Sequence, residues 1–226
     1  MKTLKESILS RSSHNGTEAV IHVIEEWLNN HRIKKYKIKN DYKIDVNGDV
    51  NLIKYTFEEF PNYIQFDIVK GNFYCPIGAL ISLRGCPREV GRSFYCNGNR
   101  LTSLEGAPEK VGGIFDCSSN KLTSLREIKT SKINDDFICD HNELTSLEGA
   151  PEVIRGNFYC YYNKLTSLVG GPREVRGRFL CDHNELTSLE GAPKEVWGVF
   201  RCNDNKVQFT EDDVKKACEV KSEIIV

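Results

Sequence analysis

The chain has 226 residues, and its 31 Lys and Arg against 32 Asp and Glu leave a formal net charge of −1, which removes the broad positive field that duplex binding requires. No run approaches the roughly 20 apolar residues of a membrane span, and Met1 to Ser13 lacks the continuous apolar core of a secretory signal, so a soluble, cytoplasmic protein is expected. The nine cysteines are odd in number and are not arranged as a framework of short disulfide loops.

In chain order, the first element is an amphipathic helix within Thr17 to Asn30. Val20, Ile24, Trp27 and Leu28 recur there at helical spacing, and the helix is expected to lay this apolar face over the first coil of a repeat array. His31, Arg32, Lys34 and Lys35 come after its end, where positive charge is favoured by the helix dipole; a solvated basic edge explains them better than an anion site. Two readings compete for Ile44 to Leu52. One is a hairpin about Asn47-Gly48; the other, which we carry forward, is a degenerate first coil with Val50 and Leu52 in the places later held by Phe and Cys.

From there the text repeats. Cys75, Cys96, Cys117, Cys139, Cys160, Cys181 and Cys202 are separated by 21 residues at every step but one, which is 22. Around them recurs G-x-F-x-C-x-x-N-x-L-T-S-L-x-G-x-P-x-x-V, and a period of about 20 to 29 residues indicates a solenoid with one strand per coil. Phe and Cys stand two apart, so they share one side of a strand while the residue between them faces outward. The asparagine three residues after each cysteine sits where the chain leaves the strand, and its amide can satisfy backbone groups there, stacking into a ladder. The two leucines return to the interior, and Gly-x-Pro suits a tight bend with an extended crossing and no helix. Each coil supplies about five apolar side chains at roughly 1.5–3 kcal/mol apiece, against about 1–2 kcal/mol of backbone ordering per residue, so a single coil cannot stand alone. Stacking must hold the array together, and its ends need caps. The unit from Leu125 to Phe137 lacks Gly-x-Pro, carries the additional residue and is expected to bulge at Arg126 to Ser131. After the last coil, Thr210 with Glu211, Asp212 and Asp213 marks a helix start running to about Glu219, with Val214, Ala217 and Cys218 facing inward; Ile224, Ile225 and Val226 read as a short closing strand.

The outward positions form columns. Between Phe and Cys stand Tyr74, Tyr95, Asp116, Ile138, Tyr159, Leu180 and Arg201; just after Cys stand Asn97, Ser118, Asp140, Tyr161, Asp182 and Asn203; next come Gly98, Ser119, His141, Tyr162, His183 and Asp204. Ile138, Tyr159, Tyr161, Tyr162 and Leu180 are expected to make an aromatic and apolar patch, with Arg178, Arg201, His141 and His183 around it and Tyr95 on the same face. Tyr and Arg are enriched at interface hot spots, which makes these the candidate partner-binding residues; tyrosine also suits the exposed side of a strand, so the pattern alone leaves both readings open.

Asp140-His141 and Asp182-His183 offer ligand types for a metal, but they lie two coils, or about 10 Å, apart, too far for one ion. The cysteine column has no C-x-x-C pair and alternates inward with Phe, as buried reduced thiols do. No nucleophile with its base, phosphate-binding loop or pocketed acid pair stands outside the repeat, and the recurrent Thr-Ser is scaffold, so neither an enzyme nor a cofactor is expected.

The text N-x-L-T-S-L followed by G-x-P and a short strand resembles the bacterial leucine-rich repeats of secreted effector proteins. F-x-C-x-x-N-x-L-T-S-L-x-G-x-P, with an opening like Met1 to Ile8, is more similar to leucine-rich-repeat-like proteins encoded by tailed bacteriophages of gut bacteria. The likeness spans Asp45 to Val207. It implies recognition of a partner, which for a phage protein is a host factor or a virion component, and carries over no catalytic residue.

These readings combine into a mainly β, right-handed, leucine-rich-repeat-like solenoid over 44–207, with a parallel sheet on its concave side and a narrow irregular convex side. Residues 1–43 form an N-terminal capping region and 208–226 a C-terminal cap. The expected function is non-enzymatic capture of a protein partner, in the cytoplasm of the host if the protein is phage-encoded. The alternatives are a structural or self-associating role, in the virion for instance, and a small-ligand sponge.

Overall fold

The computed structural model describes residues 15–75, 77–128 and 132–226; the secretory-signal reading of Met1 to Ser13 and the similarity at the first eight residues lie outside them, as does part of the expected bulge, at 129–131. No helix among the described residues is long and apolar enough to cross a membrane. Helix α1 spans Asn15–Asn30, two residues longer at its start than expected, and buries Val20, Ile24, Trp27 and Leu28. His31 belongs to the helix end: its Nδ1 lies 2.7 Å from the Trp27 carbonyl, and its ring stacks on Trp27 with centroids 3.8 Å apart. An antiparallel pair comes next, β1 (Tyr36–Ile38) with β2 (Ile44–Val46), which the sequence pattern did not reveal.

The coil reading of Asn47-Gly48 holds. Strand β3 (Val50–Asn51) does not fold back on β2; it pairs in parallel with β5 (Phe73–Tyr74), Val50 beside Phe73. The same register continues through β7 (Phe94–Tyr95), β9 (Phe115–Asp116), β11 (Phe137–Ile138), β13 (Phe158–Tyr159), β15 (Phe179–Leu180), β17 (Phe200–Arg201) and β19 (Ile224–Ile225), making one nine-stranded parallel sheet. The protein is therefore a mainly β solenoid of stacked parallel strands with a helix near each end.

The expected narrow, irregular second side is instead a second layer of short parallel strands. Strands β4 (Phe66–Val69), β6 (Glu89–Val90) and β8 (Lys110–Val111) extend the β1–β2 pair, while β10 (Lys132–Ile133), β12 (Val153–Ile154), β14 (Glu174–Val175), β16 (Glu195–Val196) and β18 (Glu219–Val220) form a separate five-stranded sheet. The valine before each bend is thus a ladder residue as well as a core residue, because stacking on a 21-residue period brings every backbone segment of a coil beside its copy. The 22-residue step appears as the break between these two sheets: β8 and β10 do not pair, yet the long sheet passes through the irregular coil without interruption.

Inside, the seven repeat phenylalanines are fully buried, and successive ring centroids lie 5.2–5.9 Å apart. Beside them run the cysteines, all free and all buried. Burial pushes the thiols of Cys75, Cys96, Cys117, Cys139, Cys160 and Cys181 well above their ordinary value, and those of Cys202 and Cys218 up to about 12. Since the thiolate is the reacting species, a disulfide exchange reagent at pH 8 should label almost no cysteine in the native protein and all nine in urea. Rapid labelling of several thiols without denaturant would show that the sulfur column is not sealed.

The asparagine ladder forms as expected. In Asn142, Oδ1 accepts from the Leu122 N–H at 3.0 Å, while Nδ2 donates to the carbonyls of Cys117, Cys139 and Asp140 at 3.0–3.2 Å, so one side chain fastens two coils. Asn120, Asn163 and Asn184 repeat the arrangement.

Helix α2 spans Glu211–Ala217. Thr210 caps it, and Asp213 reaches back to the Thr210 backbone, which closes a capping box. Val214 and Cys218 are buried, whereas Ala217 is exposed, contrary to expectation. The helix ends there because Cys218 turns extended and leads into β18, so the last coil carries both strand positions, with β19 as its closing strand.

Candidate functional site

The long sheet shows its outward face through three columns, and the third sits at a bend that the backbone enters with positive φ. Gly98 takes φ +64° without cost, but Ser119, His141, Tyr162, His183 and Asp204 hold the same left-handed conformation at φ 49–54°. Such a conformation costs an L residue about 1–2 kcal/mol, and it is rare for a side chain as large as tyrosine. The Tyr162 ring lies between the two imidazoles, tilted against both, 4.6 Å from His141 and 4.2 Å from His183 by centroids.

The patch read from the sequence is contiguous in its aromatic part. Tyr161 meets Tyr159 at 6.2 Å, Tyr162 at 5.8 Å and His141 at 5.5 Å, all edge to face, and the Arg201 guanidinium lies 6.0 Å above the Tyr161 ring. Ile138 and Tyr159 are neighbours in register, as are Leu180 and Arg201. Arg178 is exposed at the edge of the patch, its backbone N–H donating to Asn157 Oδ1 at 2.8 Å. Tyr95 stands apart from this group; its ring stacks on Tyr74 at 4.8 Å with 1° between the planes.

Three positions placed outward by the alternation are in fact covered. Leu180 is 8% exposed, Asp140 5% and Asp182 2%. The left-handed residue after each aspartate turns the chain, and its imidazole folds back over the carboxylate: His141 Nδ1 lies 2.8 Å from Asp140 and His183 Nδ1 3.0 Å from Asp182. Asp182 is also held by Arg201 Nε at 2.8 Å, and His183 Nε2 faces Asp204 at 3.6 Å. Leu180 contributes to the support of the patch rather than to its exposed area.

Burial pushes the phenols of Tyr159 and Tyr161 above their ordinary value, with the Asp140 charge adding to the rise at Tyr161, so both stay neutral hydrogen-bonding groups. Asp116 is half-buried one register step from Tyr95. Burial raises its carboxyl and the neighbouring Asp140 raises it further, against the pull of hydrogen bonds from the Ser118 N–H and hydroxyl. Tyr74, Asp116, Asp182 and Asp204 belong to the same candidate face although the aromatic pattern did not select them; the signal for the ion pair was the 19-residue offset from Asp182 to Arg201.

Chemically, the two Asp–His pairs fix imidazole orientation, but the Tyr162 ring separates them. No group of three His, Cys, Asp or Glu side chains among the described residues is arranged to hold a metal ion. A groove of about 550 Å³ lies between the last Leu-Thr-Ser-Leu turn and α2, lined by Leu189, Ala192, Val207, Phe209 and Ala217 among others; none of the patch residues lines it. The arrangement on the sheet face is a surface of rigid rings and oriented polar groups, suited to contact. In comparisons with protein-family models and with the curated proteins, nothing matches this sequence.

Proposed function

We propose that the protein is a non-enzymatic recognition module that captures a protein partner on the outward face of its long sheet, centred on Tyr159, Tyr161 and Tyr162. The observation that carries this reading is Tyr162, a bulky residue kept at φ 49° at the bend position that Gly98 fills in an earlier coil, with its ring between two histidines. Strain retained in this way at a surface is a reason to look for function. Tyrosine and arginine in contact supply large area at low conformational cost, as hot spots do. The similarity to phage-encoded repeat proteins makes a host factor, met in the host cytoplasm, the partner proposed.

Alanine at Tyr159, Tyr161 and Tyr162 together should leave the circular dichroism spectrum unchanged and abolish partner capture from host lysate. Unchanged capture removes this face from consideration. Self-association, as in a virion component, has one observation in its favour: β19 lies at the edge of the long sheet. A solution mass that rises with concentration in the triple variant as in the parent protein would support that reading instead.

A further inference from the structure

Charge on this solenoid normally pairs between coils. Arg84 meets Glu105, Lys110 meets Glu89, Lys164 meets Glu143 and Lys206 meets Glu185 at 2.6–3.6 Å, and Arg126 also pairs with Glu148. Stacking at one period makes this simple, since an acid on one coil and a base at the same place on the next are neighbours. The outward face departs from the rule. Over β7 to β17 its three columns hold Asp116, Asp140, Asp182 and Asp204 against one permanent cation, Arg201, in a chain that is otherwise nearly neutral. Arg201 is taken by Asp182. Among the described residues no Lys or Arg pairs with Asp116 or Asp140; Asp116 accepts only from Ser118, both bonds falling on Oδ1.

Of these two carboxylates Asp140 is covered by His141, while Asp116 stands half-buried between Tyr95 and Ile138 in register. Tyr95, backed by Tyr74, is one register step before Asp116, and Tyr161 with Tyr159 lies beyond Asp140. A half-buried carboxylate with a tyrosine one strand away and an isoleucine on its other side complements a guanidinium or ammonium, which gains the ion pair from Asp116 and the ring quadrupole from Tyr95. We infer that the surface at Tyr95 and Asp116 receives an arginine or lysine side chain from a basic segment of the partner protein, with Asp116 as its counter-charge. This rests on the reading that the face binds a partner. It also accounts for a carboxylate kept where it does not help the fold. A carboxyl raised above its unfolded value destabilises the folded state once ionised, and that cost disappears only as pH falls through the raised value.

The test uses a fluorescein-labelled hexa-arginine peptide and polarisation against the full chain at about 0.1 M salt, where bulk charge effects are largely screened. Asp116→Asn should weaken binding about tenfold. Glu105→Gln, which removes the same charge from an exposed acid on the crossing side, should leave it unchanged. Tyr95→Leu should weaken it as well, by removing the ring beside Asp116. Thermal melting at pH 7 should show Asp116→Asn at least as stable as the parent protein, so that loss of binding is not loss of fold. No binding of the peptide, or equal effects of Asp116→Asn and Glu105→Gln, overturns the inference. If partner capture still depends on Tyr159, Tyr161 and Tyr162 in that case, the recognition reading survives; if it does not, both fail.

Discussion

Asn142→Ala should lower stability by about 3–5 kcal/mol, one of the two largest losses expected from a single substitution in this chain. Removing the amide leaves the Leu122 N–H and the Cys117 and Cys139 carbonyls without their donor or acceptor in a part of the structure that water does not enter. Each buried polar group left unsatisfied costs about 1–3 kcal/mol. Because two of these groups belong to the preceding coil, the substitution also loosens the stacking of one rung on the next. Asn142→Asp retains the acceptor but cannot donate to three carbonyls, and should be nearly as harmful. Asn205 makes the same bonds in a half-buried setting, to Leu186, Cys181, Cys202 and Asn203, where water can replace the amide; Asn205→Ala should cost about 1 kcal/mol. Urea denaturation of the three variants measures this order. Equal losses at Asn142 and Asn205 would mean that the ladder is decoration on a stack held by something else.

Phe137→Ala is the second. Phe137 lies on the fifth of the nine strands of the long sheet, fully buried, its ring 5.5 Å from Phe115 and 5.6 Å from Phe158. Loss of a buried phenyl ring costs about 3–5 kcal/mol, the upper part of the range applying where the surroundings cannot collapse. Here they cannot collapse freely, because the long sheet pairs the Phe137 strand with both neighbouring strands and the second layer ties its coil to the following one. In a quasi-one-dimensional array the lesion also weakens the nearest-neighbour coupling at mid-length, where the second layer of strands is already interrupted between β8 and β10. The expected result is a lower midpoint together with a lower slope of the urea transition, as the two halves begin to unfold separately. A lowered midpoint with an unchanged slope would show that the long sheet alone keeps the array cooperative.

The candidate site was partly legible. The clustering of Tyr159, Tyr161 and Tyr162 came from their places in successive columns, and so did the nearness of His141, His183 and Arg201. The covering of Asp140 and Asp182 was hidden, because alternation in a strand says nothing of what the next residue does once it turns left-handed, as His141 and His183 do. Likewise Ala217 was expected inward by helical spacing, yet the chain leaves the helix at that residue to supply β18.

What the amino-acid sequence determined by itself is the repeat and its polarity: a coil of 21 residues, Phe and Cys inward, asparagine at the bend, a helix near either end. Those are local properties, set by the alternation of a strand and by turn chemistry, and each coil states them again. What only the tertiary structure decided is what coils do to one another: the second layer of strands, its break at the 22-residue step, the ring of Tyr162 between two imidazoles, and Asp116 and Asp140 left without a Lys or Arg partner among the described residues. These depend on which side chains meet across a stacking distance of about 4.8 Å, and that is set by the register and the bend angle of the folded array.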